Sequence, residues 1–404
     1  MAGAAPHKWE FKARFRRNAF GWRSQPALAR IKEALAEIKK VAKRDALLGG
    51  EGAVLWLERI SPALAQVDSS SGSIGTAVNH AIDVLVSLIS AAPASEQQRR
   101  AWLERLYQAL EDDCVPYIEA LGEHWGALCA AQELASEWAD RLLPLTRRAL
   151  SSNRTEFFYF KGAAACLSAL YYAGRYDELI ITVERPSLWD DQKWVARALA
   201  ARGETEAALE FAEQCRGRFG GSPLIDRECE ALLLAQGQVE AAYARYGVRA
   251  NQRDTYLATF RALAKKYPHK APRELLSDLV ASTPGEEGRW FAAAKDARLY
   301  DTALALAERG PCDPMTLARA ARNHLGKVPE FALRAGLLAL HWMCQGRGYE
   351  LTGAHVIEAY SFTRLAAEEL GRLEDLPVAL KTVLSIGGPG QAFVQRNLPA
   401  NATQ

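Results

Sequence analysis

The sequence contains no CxC or CxxC pair, and its seven cysteines (Cys114, Cys129, Cys166, Cys215, Cys229, Cys312, Cys344) are scattered singly. That spacing argues against a zinc site or a disulfide framework and makes buried, reduced thiols the expectation. No G-x-S-x-G, H-E-x-x-H, G-x-G-x-x-G or Walker sequence occurs, so no ready-made nucleophile, metal or phosphate site announces itself. Histidine is sparse, and His80/Asp83 and His341/Cys344 stand three apart without a convergent ligand set. Neither metal nor cofactor is expected, and enzymatic activity is the least favoured class. Long apolar runs are missing too. The most hydrophobic, AGLLALHWMC at 335–344, falls well short of the ~20 residues of a membrane span and reads as a buried helix. The opening MAGAAPHKWEF has no uninterrupted apolar stretch, so neither a signal peptide nor membrane association is expected, and the cytoplasm is the expected location.

What is abundant is alanine and leucine, and Val, Ile and Thr are comparatively scarce, which favours helix because β-branched side chains lose χ1 freedom there. Helical spacing dominates 24–44, where Leu28, Ile31, Leu35 and Ile38 fall on one face, with Ser24 as expected N-cap and Pro26 early. Gly49-Gly50 is expected to break the chain, and Pro62 to kink or break the helical pattern that resumes at 52–66. After the loop DSSSGSIG, residues 76–90 read as another helix.

From about residue 160 the pattern repeats. YYAGRYDELI (171–180), LAARGETEAALEFA (199–212), LLAQGQVEAAYARY (233–246) and AKDARLYDTALALA (294–307) each place a helix, a short turn and an Ala-rich helix in succession. The turn positions Gly174, Gly203, Gly237 and Leu299 lie 29, 34 and 62 residues apart, the last near two periods. Such periods mark helical hairpins that must stack to bury their apolar faces. The fold expected is therefore all-α, an α-solenoid of TPR-like antiparallel helix hairpins. Its expected parts are a basic helical segment (1–50), a helical bundle (51–155), the repeat solenoid (156–384) and a fraying tail (385–404). KYPHKAPRELL (266–276) and ASTPGEEG (281–288) read as loops, and RGPCDPMTL (309–317) as a helix entrance.

The stretches SPALAQVDSSSGSIGTAVNHAI (61–82), GRWFAAAKDARLYDTALALA (288–307), DPMTLARAARNH (313–324) and GLLALHWMCQGRGYELTGAHV (336–356) resemble a group of uncharacterised bacterial helical-repeat proteins. That group is similar to the repeat regions found beside SWIM-type zinc fingers. The resemblance implies a fold and no activity, and the CxC…CxH ligands of such a finger are missing from this chain.

Charge is unevenly placed. Residues 7–44 hold twelve Lys/Arg against three acids, a local +9 on a chain whose net charge is +2. The stretch KWEFKARFRRNAFGWR (8–23) threads Trp9, Phe11, Phe15, Phe20 and Trp22 between cations. Phe11, Phe15, Ala19 and Trp22 recur at helical spacing, so a helix with its rings turned inward is expected. Lys12, Arg14, Arg16, Arg17, Arg23, Lys32, Lys39, Lys40, Lys43 and Arg44 are then either a solvated terminal face partly neutralised by the acidic body or the candidate polyanion-binding residues, one positive surface for RNA or DNA phosphates. Exposed rings would add base stacking, but a buried ring cannot. A weaker candidate is an anion site at Ser69, Ser70, Ser71 and Gly72, ahead of a helix. The alternative for that loop is an Asx or Ser turn with Asp68 or Ser71 capping the next helix. Two functions follow as expectations: a non-enzymatic scaffold holding a protein or peptide on the concave face of stacked hairpins, or a nucleic-acid binder using the basic segment.

Overall fold

The computed structural model describes residues 7–151, 158–183, 188–219, 223–400 and 402. Helices succeed one another from Glu10 to Asn397, and no strand occurs among the described residues. Two compact units divide the chain, Met1–Leu232 and Leu233–Gln404. The expected boundary at 155/156 lies outside the described residues.

In the first unit, helix Ser24–Ala42 buries Ala27, Ile31, Ala34, Leu35 and Ile38, the face expected from the 3–4 spacing, with Leu28 and Val41 half-buried at its edge. Arg23, not Ser24, is the flanking residue; Ser24 begins the helix, and no side chain caps it. The next helix, Ala46–Leu64, runs without interruption through Gly49, Gly50, Gly52 and Pro62. The expected break at Gly49-Gly50 is therefore not there, and the reason is packing. A Cβ on Gly49 would stand 2.6 Å from the Ala42 Cα, and one on Gly50 would stand 2.9 Å from both the Ala92 Cβ and the Trp102 ring. These glycines let neighbouring elements approach the helix axis; they do not end the helix. Their entropic cost, roughly 0.5–1 kcal/mol each against Ala, is offset by that contact.

Helix Ser73–Ala91 buries Ile74, Val78, Ala81, Ile82, Leu85, Val86 and Ile89. It is long and apolar enough in composition to cross a membrane, and it packs against the helices Ser24–Ala42 and Ala46–Leu64. Its C-terminal carbonyls are met by Arg99, which is almost wholly buried. The guanidinium donates to Ile89 O at 2.5 Å and Ala92 O at 2.8 Å, and reaches Leu128 O in the helix Trp125–Cys129 at 3.5 Å. Two helix C-termini thus supply the negative potential that a buried cation requires. Trp125, Trp138, Trp189 and Trp194 are core residues.

One turn recurs in both units. Gly174 N donates to Tyr171 O and Arg175 N to Leu170 O; the same paired bonds close the helices at Gly203, Gly237, Gly346 and Gly371. This is the Schellman arrangement, which needs a left-handed residue at its pivot. At the fourth expected turn the pivot is Arg298 (φ 60°), one residue before Leu299, and its bonds run to Lys295 O and from Leu299 N to Ala294 O.

The second unit buries Trp290, Phe291, Phe331, Leu340 and Met343, with Trp342 half-buried beside them. Helix Pro329–Cys344 contains the apolar run, and its buried residues include Ala335, Gly336, Ala339 and Cys344. The entrance at Asp313 is as expected, its carboxylate accepting from Thr316 N at 2.9 Å. Pro272 opens the helix Pro272–Ala281, so the loop expected over 266–276 ends at Ala271. The tail is more ordered than its composition suggests. Helix Gln391–Asn397 buries Val394, Gly390 N donates to Cys344 O at 2.9 Å, and Ala402 is buried. Gly390 and Gly388 permit this, because a Cβ on either would meet backbone atoms near Cys344.

Candidate polyanion-binding surface

The basic segment is pinned to the first unit by its rings. Only Glu10–Arg14 is helical; the chain then turns at Asn18 (φ 54°), whose amide donates to Pro62 O at 2.9 Å. The expected helix through Trp22 therefore ends at Arg14, and the chain after it docks against Pro62 through Asn18 instead of continuing the helical bonds. Trp9, Phe11, Phe15 and Phe20 are buried, with Phe15 edge-on to Phe20 at 5.5 Å and to Trp56 at 5.7 Å. The Glu37 carboxylate accepts from Glu10 N at 2.7 Å and Phe11 N at 3.1 Å, a cap supplied from a distant helix.

This docking uses up the local acids and leaves most cations without partners. Glu33 takes both Arg14 (2.7 Å) and Arg30 (2.5 Å), while Glu10 lies 3.7 Å from Arg14. Lys12, Arg16, Arg17, Arg23, Lys32, Lys39, Lys40, Lys43 and Arg44 are all exposed, and none forms an ion pair among the described residues. The contrast with the rest of the unit is plain. Arg105 pairs with Glu51 and Glu58, both at 2.7 Å; Arg175 pairs with Asp140 and Glu178; Arg197 pairs with Glu228.

The cations do not form one patch. Lys32, Lys39 and Lys43 share a stripe of the helix Ser24–Ala42 and its C-cap, about 80° or more around the axis from Glu33 and Glu37. Arg16, Arg17 and Arg23 gather at the other end, roughly 24 Å of helix from Lys39. Arg14 belongs to the ion-pair network instead.

At that N-terminal end stands Trp22, 72% exposed. Its carbonyl accepts from Asp68 N at 2.9 Å, which brings the Ser69–Gly72 loop alongside. The loop's polar groups bond largely among themselves. Ser70 N donates to Asp68 Oδ1 at 3.0 Å, Gly72 N to Ser69 O at 2.9 Å, and the Ser71 and Ser73 hydroxyls share a bond of 2.8 Å. The Ser70 amide holds the Asp68 carboxyl below its ordinary range, so the loop carries a stable negative charge. It is an Asx turn, but neither Asp68 nor Ser71 caps the following helix: Gly72 precedes it, with no side-chain cap.

A second charged cluster escaped sequence reasoning because its members are far apart in the chain. Glu119, Glu123 and His124 lie on the short 3-10 helix Glu119–His124. Glu123 meets the almost fully buried Lys193 at 2.8 Å, and Asp190 meets it at 3.5 Å. Burial and then Asp113 push the Glu119 carboxyl up. His124, whose ring burial pushes its pKa down, lies 3.5 Å from Asp83; Asp83 thus faces His124 rather than His80. The pairs Glu123–Lys193 and His124–Asp83 tie the Glu119–His124 helix to the helices Trp189–Ala201 and Ser73–Ala91. No group of three or more metal-ligating side chains occurs among the described residues. A scan of family models returns no match to this chain, and a comparison with curated proteins returns none.

Proposed function

We propose that this chain is a non-enzymatic helical-repeat scaffold, its hairpins stacked as a TPR-like solenoid, that binds nucleic acid in the cytoplasm through phosphate contacts of its N-terminal surface. The observation that carries this reading is the two separate sets of exposed cations, Arg16, Arg17 and Arg23 in one and Lys32, Lys39 and Lys43 in the other, that lack acidic partners among the described residues, in a unit whose other arginines are widely ion-paired across helices. Cations free to neutralise phosphates displace the counterions condensed on the nucleic acid, and that release drives association. Recurrence of the same Schellman turn supports the repeat architecture, and kinship with repeat regions beside SWIM fingers belongs to the same proposal.

The test is binding of a fluorescein-labelled 20-base-pair duplex between 50 and 200 mM salt, for the wild type and for a variant with Arg16, Arg17, Lys39 and Lys40 changed to Glu. The logarithm of the association constant should fall linearly with that of salt, and the variant's slope should be shallower by about 0.9 for each phosphate it no longer neutralises. Absent or salt-insensitive binding by the wild type defeats the reading. A protein partner is a second reading, favoured by exposed apolar side chains in the C-terminal unit, Tyr349 (86%), Ile357, Val378 and Ile386. It predicts that polar substitutions there abolish a pull-down interaction while nucleic-acid binding persists.

A further inference from the structure

Ten tryptophans occur in the sequence. Eight are buried, Trp342 is half-buried, and Trp22 alone is exposed. An indole left in water forgoes the burial that makes tryptophan useful in a core, so its position invites a physical account. Its backbone is not free. Phe20, two residues earlier, is buried against Phe15, and the Trp22 carbonyl is bonded to Asp68 N. No aromatic ring or guanidinium stacks on the indole among the described residues. The main chain is thus held on both sides of Trp22 while most of the ring's surface meets water.

The charges around it complete the argument. Arg23 follows directly, and Arg16 and Arg17 precede it across the turn closed by Ala19 N to Arg16 O at 3.0 Å. All three are exposed and lack ion pairs among the described residues. An exposed flat ring in a segment that carries three cations without ion pairs, with Asp68 as the one acid bonded to its backbone, is complementary to a nucleotide, whose base presents a π-face and whose phosphates carry charge. Duplex bases are already stacked on one another and offer no free face to an indole. The four buried rings of the same segment cannot stack on anything outside the protein.

We infer that Trp22 is the base-stacking residue of a single-strand binding site, with Arg16, Arg17 and Arg23 holding the flanking phosphates. This inference rests on the nucleic-acid reading above and adds single strands as the preferred ligand.

The test compares fluorescence anisotropy of a labelled 15-nucleotide oligothymidylate with that of a 15-base-pair duplex, for wild type, Trp22→Ala and Trp22→Phe. Because the ring is exposed, neither variant should alter the far-ultraviolet circular dichroism or the melting temperature. Trp22→Ala should weaken single-strand binding about tenfold or more and leave duplex binding and both salt slopes unchanged, with Trp22→Phe retaining most of the affinity. Equal single-strand affinity for wild type and Trp22→Ala, beside intact salt-dependent binding, overturns the stacking role alone. An equal loss on duplex also overturns it. Failure of the wild type to bind either probe overturns both readings. Polyglutamate of matched charge bound as tightly as the oligonucleotide, and unaffected by Trp22→Ala, would identify an acidic-peptide surface instead.

Discussion

A Cβ on Gly52 would stand 2.9 Å from Cε2 of Trp9, inside the van der Waals surface of the indole. The basic segment is therefore fastened to the helix Ala46–Leu64 at a point where only glycine fits. Gly52→Ala adds helix propensity of up to about 1 kcal/mol, yet overpacking against a rigid ring costs about 1–3 kcal/mol. The clash should win. A net loss of about 1–2 kcal/mol is expected in urea unfolding, with faster tryptic cleavage between Lys12 and Arg23 as the segment lifts. Unchanged stability and cleavage would show that Trp9 has another place to pack.

Arg298 occupies the left-handed pivot that glycine fills in the equivalent turns at Gly174, Gly203 and Gly237. A side chain there costs about 1–2 kcal/mol, and glycine returns roughly half of that relief to the unfolded chain. Arg298→Gly should therefore raise stability by about 0.5–1 kcal/mol. The reverse change, Gly203→Ala, should lower it by a similar amount, since a Cβ at Gly203 meets no neighbour within 4 Å and the cost is conformational. Chemical denaturation of both variants checks the pair together.

Burial pushes the thiols of Cys129, Cys166 and Cys312 up to about 12, and that of Cys344 up to about 11, from an ordinary 9. Between pH 9 and these values the folded chain keeps protons that the unfolded chain releases. Stability should therefore fall as pH rises through that window, and be unaffected by these groups below pH 9. Cys114 is the exposed cysteine of the seven. An aromatic disulfide reagent at pH 8 should accordingly modify one thiol rapidly and the other six only on unfolding. Urea midpoints at pH 8 and pH 10, with the thiol count, decide the matter.

Local pattern carried a good part of this structure. The spacing of Leu28, Ile31, Leu35 and Ile38 gave the buried face of Ser24–Ala42, and Gly174, Gly203 and Gly237 marked their turns because a positive φ is a property of the residue and its immediate neighbours. Misreadings came where one residue type serves two purposes. Gly49 and Gly50 looked like a break and are points of close approach; Gly388 and Gly390 looked like a loose tail and are places where backbone meets backbone. Nothing within a few residues distinguishes these cases, because the atom that would clash belongs to Ala42, Trp102 or Cys344.

The same division separates composition from surface. The excess of lysine and arginine over 7–44 and the all-helical class follow from residue types and their periods alone, since both are sums over short windows. Which cations stay unpaired, which rings are hidden and which indole faces water were settled by the docking of distant segments. Glu33 and Glu37 take Arg14 and two amides from a helix some twenty residues earlier, and Pro62 and Asp68 fix the turn that leaves Trp22 outside. Pairing energies fall off within a few ångströms, so only the folded chain, by bringing those partners into range, could decide them.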